Sequence, residues 1–322
     1  MSAKKIFTVI GATGTQGGAI VSHFANKPQY HVRAVTRDPS SKSAVALSKS
    51  YPSVELVKAS LDDPTSLERA FEGASYVFVV TDFFATMSVD KEVEQGKNAI
   101  NAALKVLNTG TLERFIFSGL PNVKEVKNPY HNILHVNAKP LIKRYLVEHE
   151  QLWKKSTEVA IGIFMEDWKK FQDLFKPLKQ EDGSYSIFLP LHATSKLPTA
   201  SVADDLGPLV EKIITSDKYG GKTVNHVTEE ISPVDQLKVW GSVVGVETSF
   251  KSLTNEEMND RLKNKYSYPD FMALNMTEHF ACIRDNPDWY HADGSILSTE
   301  VLDSWTTWKQ FVEKNDWKSY LE

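Results

Sequence analysis

The stretch KKIFTVIGATGTQGGAIVSHF, Lys4 to Phe24, decides how the rest of the chain is read. An apolar run, Ile6 to Ile10, passes directly into Gly11, Gly14 and Gly17, and then into a second apolar run with helical spacing. That order of strand, glycine turn and helix has a physical use. Residues without a Cβ let the backbone approach a pyrophosphate, whose charge then meets the free N–H groups and positive end of the helix. Gly11, Ala12, Thr13, Gly14, Thr15, Gln16 and Gly17 are therefore the expected cofactor contacts. Glycines mark any tight turn, so the strand before and the helix after carry the expectation.

Outward from this stretch the same rhythm repeats. Strands are expected near Ile6–Ile10, His31–Val35, Val54–Val57, Tyr76–Val80, Arg114–Phe117 and Val159–Phe164. Helices are expected at Ala19–Asn26, Ser41–Lys49, Thr65–Phe71, Val89–Leu107 and Leu141–Glu150. YVFVV and the centre of RFIFS read as continuous Val/Ile/Phe runs, as in a parallel sheet covered on both faces by its crossover helices. The expected fold class is α/β, a doubly wound parallel sheet, with ligands bound outside the carboxyl ends of the strands. Beyond Phe164 the rhythm loosens. One more strand is expected at Thr223–Val227, and from Pro233 the pattern is mainly helical and rich in aromatics. Trp305, Trp308 and Trp317 fit a helix face on the core better than a partner surface.

The strand tips are the positions to read next. A free ribose 2′-hydroxyl calls for an acidic acceptor at the second strand tip, and a 2′-phosphate for a guanidinium. The segment VTRDPSSKS places Arg37 there, with Lys42 close behind, which argues for NADP(H) over NAD(H); Asp38 as a ribose acceptor is the alternative. After the third strand, Asp62 can reach the adenine edge, whereas Asp63 before PTSL suits a helix cap. After the fourth strand, TDFFATM puts Thr81, Asp82 and Phe83 beside the cofactor's ribose and nicotinamide, with core packing an equal alternative for Phe83 and Phe84.

The Gly-x-x-Gly-x-x-Gly spacing is similar to that of short-chain dehydrogenases/reductases. Together IGATGTQGGAIV, VTRDP, VVTDFF, EVEQGKNAINAA, RFIFSGL, HVNAK and SVADDLGPLV resemble the NmrA-like family of atypical members of that class, in order as well as content. The resemblance runs from Lys5 to about Val227. It implies a Rossmann-type domain over residues 1–164, with the strand near 223–227, that binds NADP(H). A smaller, mainly helical substrate or partner region (165–222 and 228–322) would pack on the sheet. It also implies that Phe164, Met165 and Glu166, in the segment FMED, line the nicotinamide end, with plain core packing the alternative for Phe164 and Met165.

Reductases of the wider class use Tyr-x-x-x-Lys, in which the lysine lowers the tyrosine pKa so that the phenol can shuttle a proton. No tyrosine here is followed four residues later by a lysine. In HVNAKP, His135 stands where the tyrosine would and Lys139 where the lysine would. An imidazole titrates near neutrality and can serve as an acid, and the resemblance gives Lys139 the nicotinamide ribose. Ser118 holds the place of the class's substrate-orienting serine, with a serine that satisfies backbone at a strand-to-loop turn as an equal alternative. Pro140 disfavours helical geometry at Lys139, so the helix is expected to start at Pro140 and His135 and Lys139 need not share a face.

Composition sets the outer bounds. The 322 residues are 41% hydrophobic and 24% charged, with a net charge of −4, an ordinary globular balance that offers nothing to nucleic acid. The single cysteine cannot form an internal disulfide or a zinc site, so no metal is expected, and cytosol or nucleus is the expected location. No apolar stretch is long enough for a bilayer, and MSAKK leads straight into a strand with no signal-peptide core. Two readings follow. The first, favoured by the missing tyrosine, is an NADP(H)-binding redox sensor that acts through a regulatory protein partner. The second is an NADPH-dependent oxidoreductase that reduces a quinone, enone or other small carbonyl compound.

Overall fold

The structure, a computed structural model, describes residues 3–121, 130–291 and 295–321. The first half of the chain alternates β1 (Lys5–Val9), α1 (Thr15–Phe24), β2 (Tyr30–Thr36), α2 (Lys42–Ser50), β3 (Glu55–Lys58), α3 (Pro64–Phe71) and β4 (Tyr76–Val79). It continues through α4 (Phe83–Thr86), α5 (Val89–Asn108), β5 (Arg114–Gly119), α6 (Leu134–Glu148) and β6 (Ser156–Ile161). Every residue of β4, β5 and β6 is buried, which explains the apolar runs of β4 and of the middle of β5, whereas β6 buries the polar Ser156, Thr157 and Glu158 as well. Alternate side chains then serve two cores. Phe78 packs with Ile20, Phe24 and the helix Val202–Ile214 on one face, while Val77 and Val79 pack with α3, α5 and α6 on the other.

The strands form one parallel sheet in the order β3-β2-β1-β4-β5-β6, extended by Lys222–His226 and then Ile296–Leu297. Strand order reverses between β1 and β4, so the loops after these two strands face each other across a crevice. The strand near 223–227 is thus part of the sheet, and the edge strand Ile296–Leu297 carries no sequence signal.

Two local expectations fail for identifiable reasons. The run Val159–Phe164 is broken at Gly162. A Cβ there would lie 2.4 Å from the Pro198 carbonyl oxygen, and this close approach lets the chain leave β6 and pair Ile163–Phe164 with Leu197–Ala200. Helix α6 starts at Leu134 rather than Pro140, and carries the proline inside it. Tertiary contacts override the local preference: Lys139 is buried against Thr81 and Glu92, and His135 is bonded to Asn275, so both residues are held in helical register. His135 and Lys139, four apart on one helix, do share a face.

The second half builds a third core from Trp168, Trp240, Trp308, Trp317 and Phe280. Trp308 and Trp317 are buried and donate their indole N–H groups to the carbonyls of Gln236 and Val312, whereas Trp305 is exposed. Two three-stranded sheets, Glu229–Ile231 with Leu197–Ala200 and Ile163–Phe164, and Thr248–Ser252 with Tyr185–Leu189 and Leu178–Lys179, frame this region.

Candidate active site

A cavity of about 830 Å³ lies at the carboxyl ends of the central strands and extends under the helix Asp270–Asp285. Its first part is made of backbone. Gly11 has φ +71°, and a Cβ there would sit 2.6 Å from Val80. At Gly17 a Cβ would sit 2.2 Å from the Gly11 carbonyl oxygen, so the helix can start this close to the turn only with glycine. Gly14 caps α1 with no side-chain hydrogen bond and the first turn holds no acidic residue, which leaves its N–H groups for an anion. Gly11, Thr13, Gly14, Thr15, Gln16 and Gly17 line the cavity; Ala12 is buried beneath the turn. The cradle fits a dinucleotide pyrophosphate.

Beyond β2, Arg37 is exposed and lines the cavity, whereas Lys42, exposed at the start of α2, does not. Asp38 also lines the cavity; its Oδ1 accepts hydrogen bonds from the Ser40 amide (2.8 Å) and hydroxyl (2.6 Å), which hold its carboxyl below the usual range and give it a turn-forming role. Asp62 lines the cavity and is bonded to Gln95 (3.1 Å) and Lys91 (3.0 Å), while Asp63 caps α3 through the Ser66 amide.

In the middle of the cavity a buried polar cluster joins three elements. The Lys139 ammonium donates to the Thr81 carbonyl (2.7 Å) and hydroxyl (2.6 Å) and lies 3.0 Å from Glu92 Oε1; the Thr81 hydroxyl donates to the same Glu92 oxygen (2.7 Å). Glu92 is wholly buried. Sequence reading missed its role, although it opens the EVEQGKNAINAA segment, because nothing local couples it to Lys139. Ser118 at the end of β5 is buried on the cavity wall. Asp82 caps α4 by accepting from the Phe84 amide (3.0 Å), Phe83 is buried and Phe84 is 40% exposed, and all three line the cavity.

The far end is built from side chains distant in sequence. His135 Nδ1 lies 2.9 Å from Asn275 Oδ1, which also accepts from the His135 backbone amide (3.4 Å). The ring is therefore protonated at Nδ1 and presents a lone pair at Nε2. The His279 ring stands edge-on at 4.8 Å and Phe84 at 5.6 Å. Burial pushes both imidazoles below the ordinary 6.5, against the opposing pull of Asn275 and Glu92 on His135, so both are neutral at pH 7. Phe171, Phe175, Met272, Met276 and Phe280 complete an apolar chamber.

Of the FMED segment, Phe164 and Asp167 line the cavity and the other two residues do not. Met165 is buried in the third core. Glu166 caps the helix Val202–Ile214, accepting from the Ser201 hydroxyl and the amides of Val202 and Ala203. His131 and His135 have the spacing of paired helix-borne metal ligands, a pair overlooked in the sequence, but His131 is exposed and lies before α6 begins. Among the described residues no three His, Cys, Asp or Glu side chains are grouped to hold a metal, and no helix is long and apolar enough to cross a membrane.

Comparison with known proteins places this geometry in context. The model of the NmrA-like family matches residues 3–312. An NmrA-like family domain-containing oxidoreductase, notA of Aspergillus sp. (strain MF297-2), is 27% identical over 238 residues, which cover 70% of this chain and 69% of that protein. The crystal structure of NmrA, a negative transcriptional regulator, in complex with NAD superimposes with a TM-score of 0.80 at 20% identity over 97% of this chain and 95% of that one. NADPH-dependent quinone oxidoreductase QOR2 from Escherichia coli gives 0.72 at 18% identity over 95% and 98%.

Proposed function

The chain belongs to the NmrA-like family, and from that premise we propose that it binds NADP(H) and works as an oxidoreductase on a small apolar carbonyl compound, a quinone or enone. The dinucleotide reading is supported by the glycine cradle at Gly11 and Gly17, and by the capture of NAD and NADP by the similarly folded NmrA. Arg37, an exposed cation on the cavity wall beyond β2, favours the 2′-phosphate. Residues 1–164 with the strand Lys222–His226 are the cofactor-binding part, and residues 165–222 with the rest of the C-terminal half are the substrate or partner part.

The observation that carries the enzyme reading is the continuation of the cavity past Lys139 and Ser118 into the chamber of Phe84, Phe171, Phe175, Met272, Met276 and Phe280. A dinucleotide has no use for that apolar volume, whereas a flat hydrophobic acceptor does. When bound, NADPH supplies a hydride at this junction. Lys139, fixed by Thr81 and Glu92, orients the nicotinamide ribose, Ser118 holds the substrate oxygen, and His135 offers Nε2 as an acceptor to a substrate hydroxyl or N–H. The relatives named oxidoreductases point the same way. The test is NADPH oxidation with a panel of quinones, enones and aldehydes. Turnover with at least one class is expected; silence with all of them removes the reading.

One observation favours sensing instead. His135 replaces the usual tyrosine and is held as an acceptor, which weakens proton transfer at that position, and the similarly folded NmrA is a transcriptional regulator. A sensor in the cytosol or nucleus, acting through a regulatory protein partner, requires unequal affinity for the two redox forms. Calorimetric titration with NADPH, NADP⁺, NADH and NAD⁺ measures it, and equal affinities for NADPH and NADP⁺ eliminate sensing.

A further inference from the structure

We propose that Asp167 is the group that donates the proton to the substrate oxygen, taking the part left open by the missing tyrosine; this rests on the oxidoreductase reading above. Among the described residues five carboxylates line the cavity, Asp38, Asp62, Asp82, Glu92 and Asp167. Four have structural engagements, with Ser40, with Gln95 and Lys91, with the Phe84 amide, and with Lys139 and Thr81. Asp167, half-buried, accepts only the Phe164 backbone amide and, among the described residues, makes no side-chain hydrogen bond and no ion pair closer than the nearby charge of Lys170. Its neighbour Glu166 turns the other way, onto the helix Val202–Ile214.

Position agrees with that role. The break at Gly162 carries the chain across the carboxyl end of the sheet, so that Phe164, Asp167, Lys170 and Phe171 reach the cavity together. Burial raises the Asp167 carboxyl to about 7, with Lys170 and the Phe164 backbone amide lowering it and Glu166 raising it. The titratable groups brought to this end by the other elements leave it without a counter-charge: His135 and His279 are neutral, and Lys139 is engaged by Glu92 and Thr81. An acid whose pKa lies near the operating pH both holds its proton and releases it readily.

The step balances. As the carbonyl carbon gains a hydride, the C=O π pair moves to oxygen, an O–H bond forms there, and the Asp167 O–H bond breaks. The carbonyl becomes an alcohol, the dinucleotide is oxidised by the same two electrons, and the Asp167 carboxylate regains a proton from water.

The test compares wild type with Asp167→Asn and Asp167→Glu, using 4-nitrobenzaldehyde and menadione as probes. Difference infrared spectra of wild type against Asp167→Asn, without cofactor, are expected to show a protonated carboxyl band that disappears around pH 7. In turnover, Asp167→Asn is expected to lower kcat for the aldehyde about 100-fold at pH 7, with little effect on menadione, whose reduced form needs less acid assistance. It should also remove the alkaline limb of the pH profile, and Asp167→Glu should restore it, with NADPH affinity unchanged in both. A band that titrates in the ordinary carboxylate range, or an alkaline limb that survives in Asp167→Asn, overturns the assignment alone. Silence toward both probes by a wild type that binds NADPH overturns the oxidoreductase reading as well.

Discussion

The two ends of the cavity are made of different materials. The phosphate end is backbone: a glycine turn and the first N–H groups of α1, local in sequence except where Val80 crowds Gly11. The chamber end is side chain: His135 from α6 meets Asn275 and His279 from a helix about 140 residues further on. The Lys139, Thr81 and Glu92 cluster lies between the two and fastens one to the other. A site made of backbone tolerates side-chain exchange except where a Cβ collides, whereas a site made of crossing side chains depends on each partner.

That contrast can be broken at its centre first. Glu92→Ala leaves the Lys139 ammonium buried without its counter-charge, and removing one member of a buried pair costs about 3–5 kcal/mol; the loss is to be read from urea midpoints at constant slope. Gly17→Ala is the collision case at the backbone end. Wild type should gain about 2.7 kcal/mol of stability at 100 times the NADPH dissociation constant, and the variant should gain nothing in the same thermal shift assay. Arg37→Ser tests a side chain laid on the backbone site. It should weaken NADPH about tenfold, roughly 1.4 kcal/mol, and leave NADH affinity and melting temperature unaltered.

The smallest effect sharpens the chamber end. Asp167 has a folded-state pKa of about 7 against an ordinary 3.8, so between those values the native state binds more protons than the unfolded one. Stability therefore falls as pH rises from about 4 to about 7. Asp205, raised to about 6 by burial despite two bonds from Thr306, adds to the same slope. Asp167→Asn should flatten the slope in part, as seen in denaturation midpoints across that range, and an unchanged slope would show that the carboxyl is hydrated like any surface acid.

What was legible in the sequence follows the same division. The glycine turn, the strand tips carrying Arg37, Asp62 and Thr81, and the cap role of Asp63 were readable because short-range spacing determines them. The start of α6 was misread because a rule about neighbours, proline against helix, was outweighed by Glu92 and Asn275, which are 47 and 140 positions away from the residues they hold. Asn275 and His279 left no trace, since an i, i+4 polar pair on an aromatic-rich helix resembles an ordinary solvated stripe. The tryptophans were read as one helix face on the core, and only part of that holds. Trp308 and Trp317 are core, but Trp308 opens the helix Trp308–Lys314, Trp317 follows its end, and Trp305 is exposed outside any helix, so large apolar side chains found the core without a shared helix face.

The edge strand Ile296–Leu297 is only two residues long, yet it covers the outer side of Lys222–His226, the last long strand of the sheet. Without that cover, a row of backbone donors and acceptors would stand open to any other extended chain. Loss of that short pairing would thus leave the outer strand open to other extended chains, and aggregation would be noticed before any fall in coenzyme affinity.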